Sequence, residues 1–225
     1  MVFISLQGVS YAYNGRKEAA VKNISLSIGQ AEKIAITGLN GSGKSTLAKL
    51  ILGLLKPQNG KIILDGRPVG KYSLVGVGEK LGYVLQNPSQ MLFNTSVYNE
   101  IAFGLKWRGK SKNEVHYLCK RYLDLFDLWD LRYEMPFNLS DGQKQLVAIS
   151  AVLALQPSYL ILDEPTKSID TFRKKKLKDI LQEIWRRGTG IMVISHDTEL
   201  ITGFEGRRIH MSKGEVVEDA VRYTD

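Results

Sequence analysis

Residues Gly38-Leu39-Asn40-Gly41-Ser42-Gly43-Lys44-Ser45-Thr46 bring three glycines, one lysine and three hydroxyls into one short stretch. They fit the pattern G-x-x-x-x-G-K-[ST]. Glycines let a backbone wrap closely with its N–H groups turned inward, a nest for an anion. A helix starting directly behind such a loop adds the partial positive charge of its N-terminus. Lys44 has the reach for β- and γ-phosphates, and the Ser45 hydroxyl is a ligand for Mg2+. The chemistry these residues suit is binding of a purine nucleoside triphosphate with Mg2+. The loop by itself does not separate ATP from GTP.

A second group of residues completes that chemistry. Leu160-Ile161-Leu162-Asp163-Glu164 is an apolar run ending in two carboxylates. Asp163, at the end of a strand, can hold Mg2+ through water, and Glu164 is then placed to polarise an attacking water as general base. Leu139-Ser140-Asp141-Gly142-Gln143-Lys144-Gln145 opens a helix, with Ser140 as its N-cap and Gly142 leaving the backbone open. A helix start with a hydroxyl and free N–H groups is a phosphate-binding end.

The elements that must carry these residues read as follows. Strands are predicted at Val2–Leu6, Ile24–Ile28, Lys33–Thr37, Lys61–Leu64, Gly82–Gln86, Tyr159–Leu162 and Ile191–Ser195. Helices are predicted from about Lys44 to Leu54, over most of Ser96–Asp127 with a break near Gly109, over Ser140–Leu155 and over Thr171–Arg187. Short apolar strands alternating with helices predict an α/β fold built on a parallel sheet. The two N-terminal strands and the Ile62 region predict an added antiparallel β layer. An α-helical subdomain over about 87–155 is expected as an insertion in the P-loop core, and residues 1–225 as one domain.

Bulk properties narrow the function. With 31 Lys and Arg against 23 Asp and Glu, the net charge of +8 suits an anionic partner: nucleotide, nucleic acid or membrane surface. One cysteine, Cys119, excludes an internal disulfide, and a reducing compartment is expected. The first residues lack the basic-then-apolar pattern of a secretory leader. The longest near-apolar stretch, Leu146–Leu155, is short of the ~20 residues of a spanning helix. The run Arg173-Lys174-Lys175-Lys176-Leu177-Lys178 is expected to be the solvated face of a helix whose buried stripe is Leu177, Ile180, Leu181 and Ile184. Trp107 and Trp129 flank the helical region and suit either core or a groove for a partner helix.

The order of these motifs resembles the nucleotide-binding domain of ABC transporters over nearly the whole chain. In that resemblance Gly38–Ser45 is the phosphate loop and Gln86 the Q-loop glutamine. Leu139–Gln143 stands where the family signature Leu-Ser-Gly-Gly-Gln lies, Leu160–Glu164 is the Walker B strand, and Ser168-Ile169-Asp170 is the D-loop. His196 is the switch histidine, and Tyr13, with Tyr11 as the alternative, is the adenine-stacking aromatic. The resemblance implies ATP and Mg2+ as cofactors and two domains that sandwich two ATP molecules head to tail. Gly38, Asn40, Gly41, Ser42, Gly43, Lys44, Ser45 and Thr46 would surround the phosphates. Ser45, Gln86 and Asp163 would serve Mg2+, Glu164 would activate water, and His196 would contact the γ-phosphate. Ser140, Gly142 and Gln143 would act on the partner's ATP.

A narrower likeness lies in Gln86-Asn87-Pro88-Ser89-Gln90-Met91-Leu92-Phe93 and Ala102-Phe103-Gly104, which resemble the ATPases of energy-coupling-factor and cobalt-type importers. Met91 stands where that branch usually has glutamine. The implied partners are a second ABC ATPase, an integral membrane coupling subunit and a substrate-binding membrane subunit. The implied location is peripheral, on the cytoplasmic face of the cell membrane, and the cargo a vitamin or metal ion. The alternative is a soluble ABC-type ATPase acting on nucleic acid or a ribonucleoprotein. Two departures stand out: Asp141 replaces the signature's third-position glycine, and the D-loop segment carries Lys167 and Ile169. A carboxylate ~6 Å from a phosphate charge costs about 3 kcal/mol at an effective dielectric of ~20. Either Asp141 turns away from that phosphate or the ATP site it serves is weak, and an asymmetric heterodimer is expected.

Overall fold

The computed structural model describes residues 1–15, 18–202 and 206–222. Two sheets form its framework. The strands are β1 (Val2–Tyr11), β2 (Val21–Gly29), β3 (Lys33–Thr37), β4 (Asn59–Leu64), β5 (Arg67–Pro68), β6 (Leu81–Val84), β7 (Tyr159–Asp163), β8 (Gly190–Ile194), β9 (Gly206–Ser212) and β10 (Glu215–Arg222). The helices are α1 (Lys44–Ile51), α2 (Leu74–Lys80), α3 (Val97–Trp107), α4 (Lys112–Leu125), α5 (Asp141–Ala154), α6 (Thr171–Arg186) and α7 (Thr198–Thr202). An antiparallel sheet runs β2-β1-β4-β5, and a six-stranded sheet runs β10-β9-β3-β8-β7-β6, parallel except for the β9–β10 hairpin. Among the described residues no helix is long and apolar enough to cross a membrane.

The continuous apolar runs explain the layering. A strand's side chains alternate between faces, so a strand apolar at every position is buried on both. In β7, Tyr159 and Ile161 join one core while Leu160 and Leu162 join the other. In β8, Met192 and Ile194 divide from Ile191 and Val193 in the same way. One core lies under the antiparallel sheet with α1 (Ile4, Leu6, Ile28, Leu47, Ile51), and the second lies under α3, α4, α5 and α6 (Ile101, Leu123, Ile149, Leu181).

Local sequence sets the helix ends. Ser111 caps α4 in a reciprocal capping box with Glu114, and Ser140 does the same for α5 with Gln143. The predicted break at Gly109 falls where its φ of 73° ends the chain's run through α3. The α6 stripe is as expected: Leu177, Ile180 and Leu181 are buried and Ile184 is partly so. Several of its basic residues are in ion pairs, Arg173 with Asp170 and Lys174 with Asp197. Trp129 packs on the second core, whereas Trp107 is 63% exposed.

Some boundaries differ from expectation. β1 runs on to Tyr11 because Gly8, at a φ of 60°, absorbs a bulge after Leu6 and the pairing with β2 resumes. α1 stops at Ile51, where Gly53 turns left-handed. β6 ends at Val84, and the Leu85 amide donates to the Met91 sulfur at 3.2 Å. Gln86 thus stands beyond the strand. α2 and the β9–β10 hairpin have no counterpart in the sequence reading.

Candidate functional site

Four parallel strands deliver the candidate residues from one edge of the six-stranded sheet. β3 runs into the phosphate loop, β6 toward Gln86, β7 into Asp163 and Glu164, and β8 into Ser195 and His196. Ligand sites of open parallel sheets lie at this carboxyl edge. A cleft of about 330 Å3 opens there, lined by Tyr13, Asn40, Gly41, Gly43, Lys44, Ser45, Thr46, Gln86, Asp163 and Glu164 together with Ala20. Tyr13 lines it; Tyr11 meets the Tyr13 ring edge-on at 5.0 Å and packs against the core beneath the antiparallel sheet. The Tyr13 hydroxyl lies 3.2 Å from the Thr46 hydroxyl.

The loop is a tight cradle. A Cβ on Gly38 would stand 2.1 Å from the Met211 carbonyl oxygen, and one on Gly43 would stand 2.2 Å from that of Ala20. Both glycines have φ above 100°, a region disfavoured for other residues. The β9–β10 hairpin, absent from the sequence reading, therefore shapes this loop; the Gly214 amide also donates to the Ser42 carbonyl at 3.0 Å. α1 begins at Gly43 with no side-chain cap, so its first amides are left to a ligand. Lys44 is buried, and its Nζ donates to the carbonyls of Gly38 at 2.7 Å and Leu39 at 3.0 Å. Burial lowers its pKa, partly opposed by the charges of Glu164 and Asp163.

The carboxylates are held differently. Burial raises the Asp163 pKa, opposed by hydrogen bonds from Ser45 and Tyr83, the latter at 3.3 Å. A buried carboxylate beside a serine hydroxyl is an oxygen donor set that suits Mg2+, a hard cation that keeps several waters. The ion, when bound, neutralises charge on the phosphates. Glu164 has a φ of 50°, and its amide donates to the Ile194 carbonyl at 2.8 Å, locking the ends of β7 and β8 together. Its Oε2 accepts from Ser195 Oγ at 3.2 Å and its Oε1 lies 2.8 Å from His196 Nδ1. Each carboxylate oxygen keeps a second lone pair for a water. Ser195 and Tyr83 were not among the expected site residues. Ser195 directly precedes His196 at the end of an apolar strand, which was the available signal.

Ser140, Gly142 and Gln143 do not line the cleft. They form the start of α5, where Gly142 lies against the loop 166–170: a Cβ there would come within 2.5 Å of the Ser168 carbonyl oxygen. Asp141 is 75% exposed, with its Oδ1 3.7 Å from Lys144 Nζ. On the other side of β8, Asp197 accepts from Thr166 at 2.9 Å and from Lys174 at 2.8 Å.

A glycine-rich loop on a parallel sheet, an acidic pair one strand removed, and a serine-capped helix turned away from both define an α/β P-loop nucleotide hydrolase of the ATP-binding-cassette class. The ABC transporter family model matches residues 21–167. A Pyrococcus furiosus protein described as an ABC transporter ATP-binding protein is 38% identical over 95% of this chain and 81% of its own length. One of the same description from Enterococcus faecalis is 36% identical over 96% of this chain, which spans only 38% of that longer protein. Among solved structures, the dimeric ATP-binding cassette MJ0796, bound to ADP and Pi in a post-hydrolysis state, aligns with a TM-score of 0.89 at 26% identity, covering 97% of this chain and 98% of that one. Clostridium perfringens cbiO1, part of the ABC transporter complex cbiONQ, aligns at 0.85 with 30% identity, covering 98% and 88%. This chain belongs to the ABC transporter family as an ATP-binding subunit, a Mg2+-dependent ATPase.

Proposed function

We propose that the chain energises a membrane importer of the energy-coupling-factor type, carrying a vitamin or a transition-metal ion. It works on the cytoplasmic face of the cell membrane, head to tail with a second, different ABC ATPase. In this reading Tyr13 stacks on adenine, and Lys44 with the loop amides from Gly38 to Thr46 holds the phosphates. Ser45, Gln86 and Asp163 serve Mg2+, Glu164 takes the proton of the attacking water, and His196 contacts the γ-phosphate. Ser140, Gly142 and Gln143 close on the partner's ATP. A γ-phosphate held by both chains stabilises the closed pair until it is cleaved, which drives the membrane partner between two states.

The observation that carries the reading is an apolar face just beyond Gln86. Phe93 is 64% exposed and meets Phe103 edge-on at 5.1 Å; Trp107, one turn further along α3, is 63% exposed. Three large rings left in water beside a cleft residue mark a surface that a partner covers. A membrane coupling subunit fits it, and so does the likeness to cbiO1.

Asp141 supports the asymmetric pair. Its exposed carboxylate stands on the α5 start that would meet a partner's phosphate, and Lys144 at 3.7 Å offsets it only weakly. Asp141→Gly is expected to raise partner-dependent ATPase activity; an unchanged rate argues against asymmetry. The assembly is tested by affinity purification of the chain from native membranes in mild detergent, with co-purifying chains identified by mass. A polytopic membrane protein together with a second ATPase is the expected result. Recovery of soluble partners or nucleic acid alone overturns the proposal.

A further inference from the structure

A second cavity stands apart from the nucleotide cleft. It lies between α4 and α6, encloses about 560 Å3, and shares no lining residue with the cleft. Gln156, Pro157 and Thr189 at its base precede β7 and β8, so it sits at the opposite edge of the sheet from the phosphate loop. Its volume falls in the range of small-molecule sites, ~300–1,000 Å3.

The lining has two parts. Tyr122 and Leu125 from α4 face Ile180 and Ile184 from α6, an apolar slot. Charged groups stand around it: Arg121, Lys176 and Arg187 against Asp179 and Glu183. Arg187 is paired with Glu183 at 2.9 Å, and Lys176 with Asp127. Arg121 has no carboxylate partner among the described residues; its guanidinium lies 5.7 Å from the centre of the Tyr122 ring. Counted with Asp127 and Asp179 the charges around the slot balance, and Arg121 is the lining cation left without a carboxylate, a fork-shaped donor that suits carboxylate, sulfonate or phosphate oxygens.

We propose that this cavity is a second ligand site, for a small amphipathic anion: an apolar body between α4 and α6 and a single anionic head on Arg121. The probe is 8-anilinonaphthalene-1-sulfonate, an aromatic body with one sulfonate, titrated by fluorescence into the full chain with the nucleotide cleft saturated by Mg2+-ADP. One saturable site is expected. Arg121→Glu should weaken it about tenfold or more, the loss of one charge-assisted contact, while Arg121→Lys retains most of the affinity. Ile184→Glu, on the opposite wall, should weaken it independently. ADP affinity, measured on each variant, reports that the fold is intact. Trp107→Ala, which alters the exposed aromatic face, should leave the dye's affinity unchanged. The proposal is overturned if Arg121→Glu binds the dye like the parent chain, if Trp107→Ala abolishes binding, or if the saturable site is present without nucleotide and lost once Mg2+-ADP fills the cleft.

Discussion

Replacing Gly142 with alanine adds one methyl group where two backbones meet. The new Cβ would stand 2.5 Å from the Ser168 carbonyl oxygen, where ordinary Cβ contacts lie at 3.4–4 Å. No side chain can rotate away to admit it, so the start of α5 and the loop 166–170 have to separate by about 1 Å, an overpacking strain of about 1–3 kcal/mol. In a protein of this size that lowers the melting temperature by about 2–12 °C. The functional effect is larger than the loss of stability, because the displaced groups include Ser140 and the loop that would face a partner's nucleotide. A misplacement of about 1 Å can cost a hundredfold in rate. Calorimetric titration with ATP in the presence of Mg2+ should give parent-like affinity, since the Lys44 cleft is untouched. The ATPase rate of the assembled complex should fall by about two orders of magnitude. Parent-like melting and turnover would refute the tight contact. Lost ATP affinity in a folded variant would refute the separation of the α5 start from the cleft.

Three further outcomes follow from the same geometry. Tyr13→Ala should weaken ATP binding by about 5- to 150-fold, the ~1–3 kcal/mol range of base–aromatic stacking, whereas Tyr11→Ala should act mainly on stability; titration and melting separate the two. Asp163 has its pKa raised by burial, so the folded protein holds its proton to higher pH than the unfolded chain, and stability falls as pH rises through that window. Above it the charge is a standing cost, and Asp163→Asn should melt higher than the parent without nucleotide while losing the Mg2+-dependent part of ATP affinity. Cys119 is fully buried and burial pushes its thiol up to about 11; a maleimide should label it at pH 8 only in denaturant, and rapid labelling of the folded protein would contradict that packing.

The cleft was legible where chemistry and local rules coincide. Asp163 and Glu164 sit at the end of a strand that an apolar run announces, Lys44 and Ser45 open the helix behind the glycine-rich turn, and Ser140 caps its helix as its type predicts. The β9–β10 hairpin was not legible. β9 buries Ile209 and Met211 among arginines and a histidine, and its other partner, β3, is remote in sequence. With it went the reason for Gly38, whose missing side chain makes room for a carbonyl of that hairpin. That Tyr13 lines the cleft while Tyr11 packs on the core, and that Trp129 packs inward while Trp107 stays exposed, is set by packing, because a ring at either position satisfies the same local pattern.

The strand order carries a consequence for hydrogen exchange. β8 is flanked by β3 and β7, and β7 by β8 and β6, while the β7–β8 end is closed by the Glu164 amide on Ile194. Amides of such central strands open only with the whole molecule, whereas outlying helices open in smaller, cheaper units. Asp163, Glu164 and His196 are thus mounted on the part of the chain that stays closed longest. α4, with only Val115, Leu118, Cys119, Tyr122 and Leu123 of its residues buried, is expected to exchange its amides sooner than that mount, so the strand ends that carry these three residues should keep their geometry while an outer helix opens.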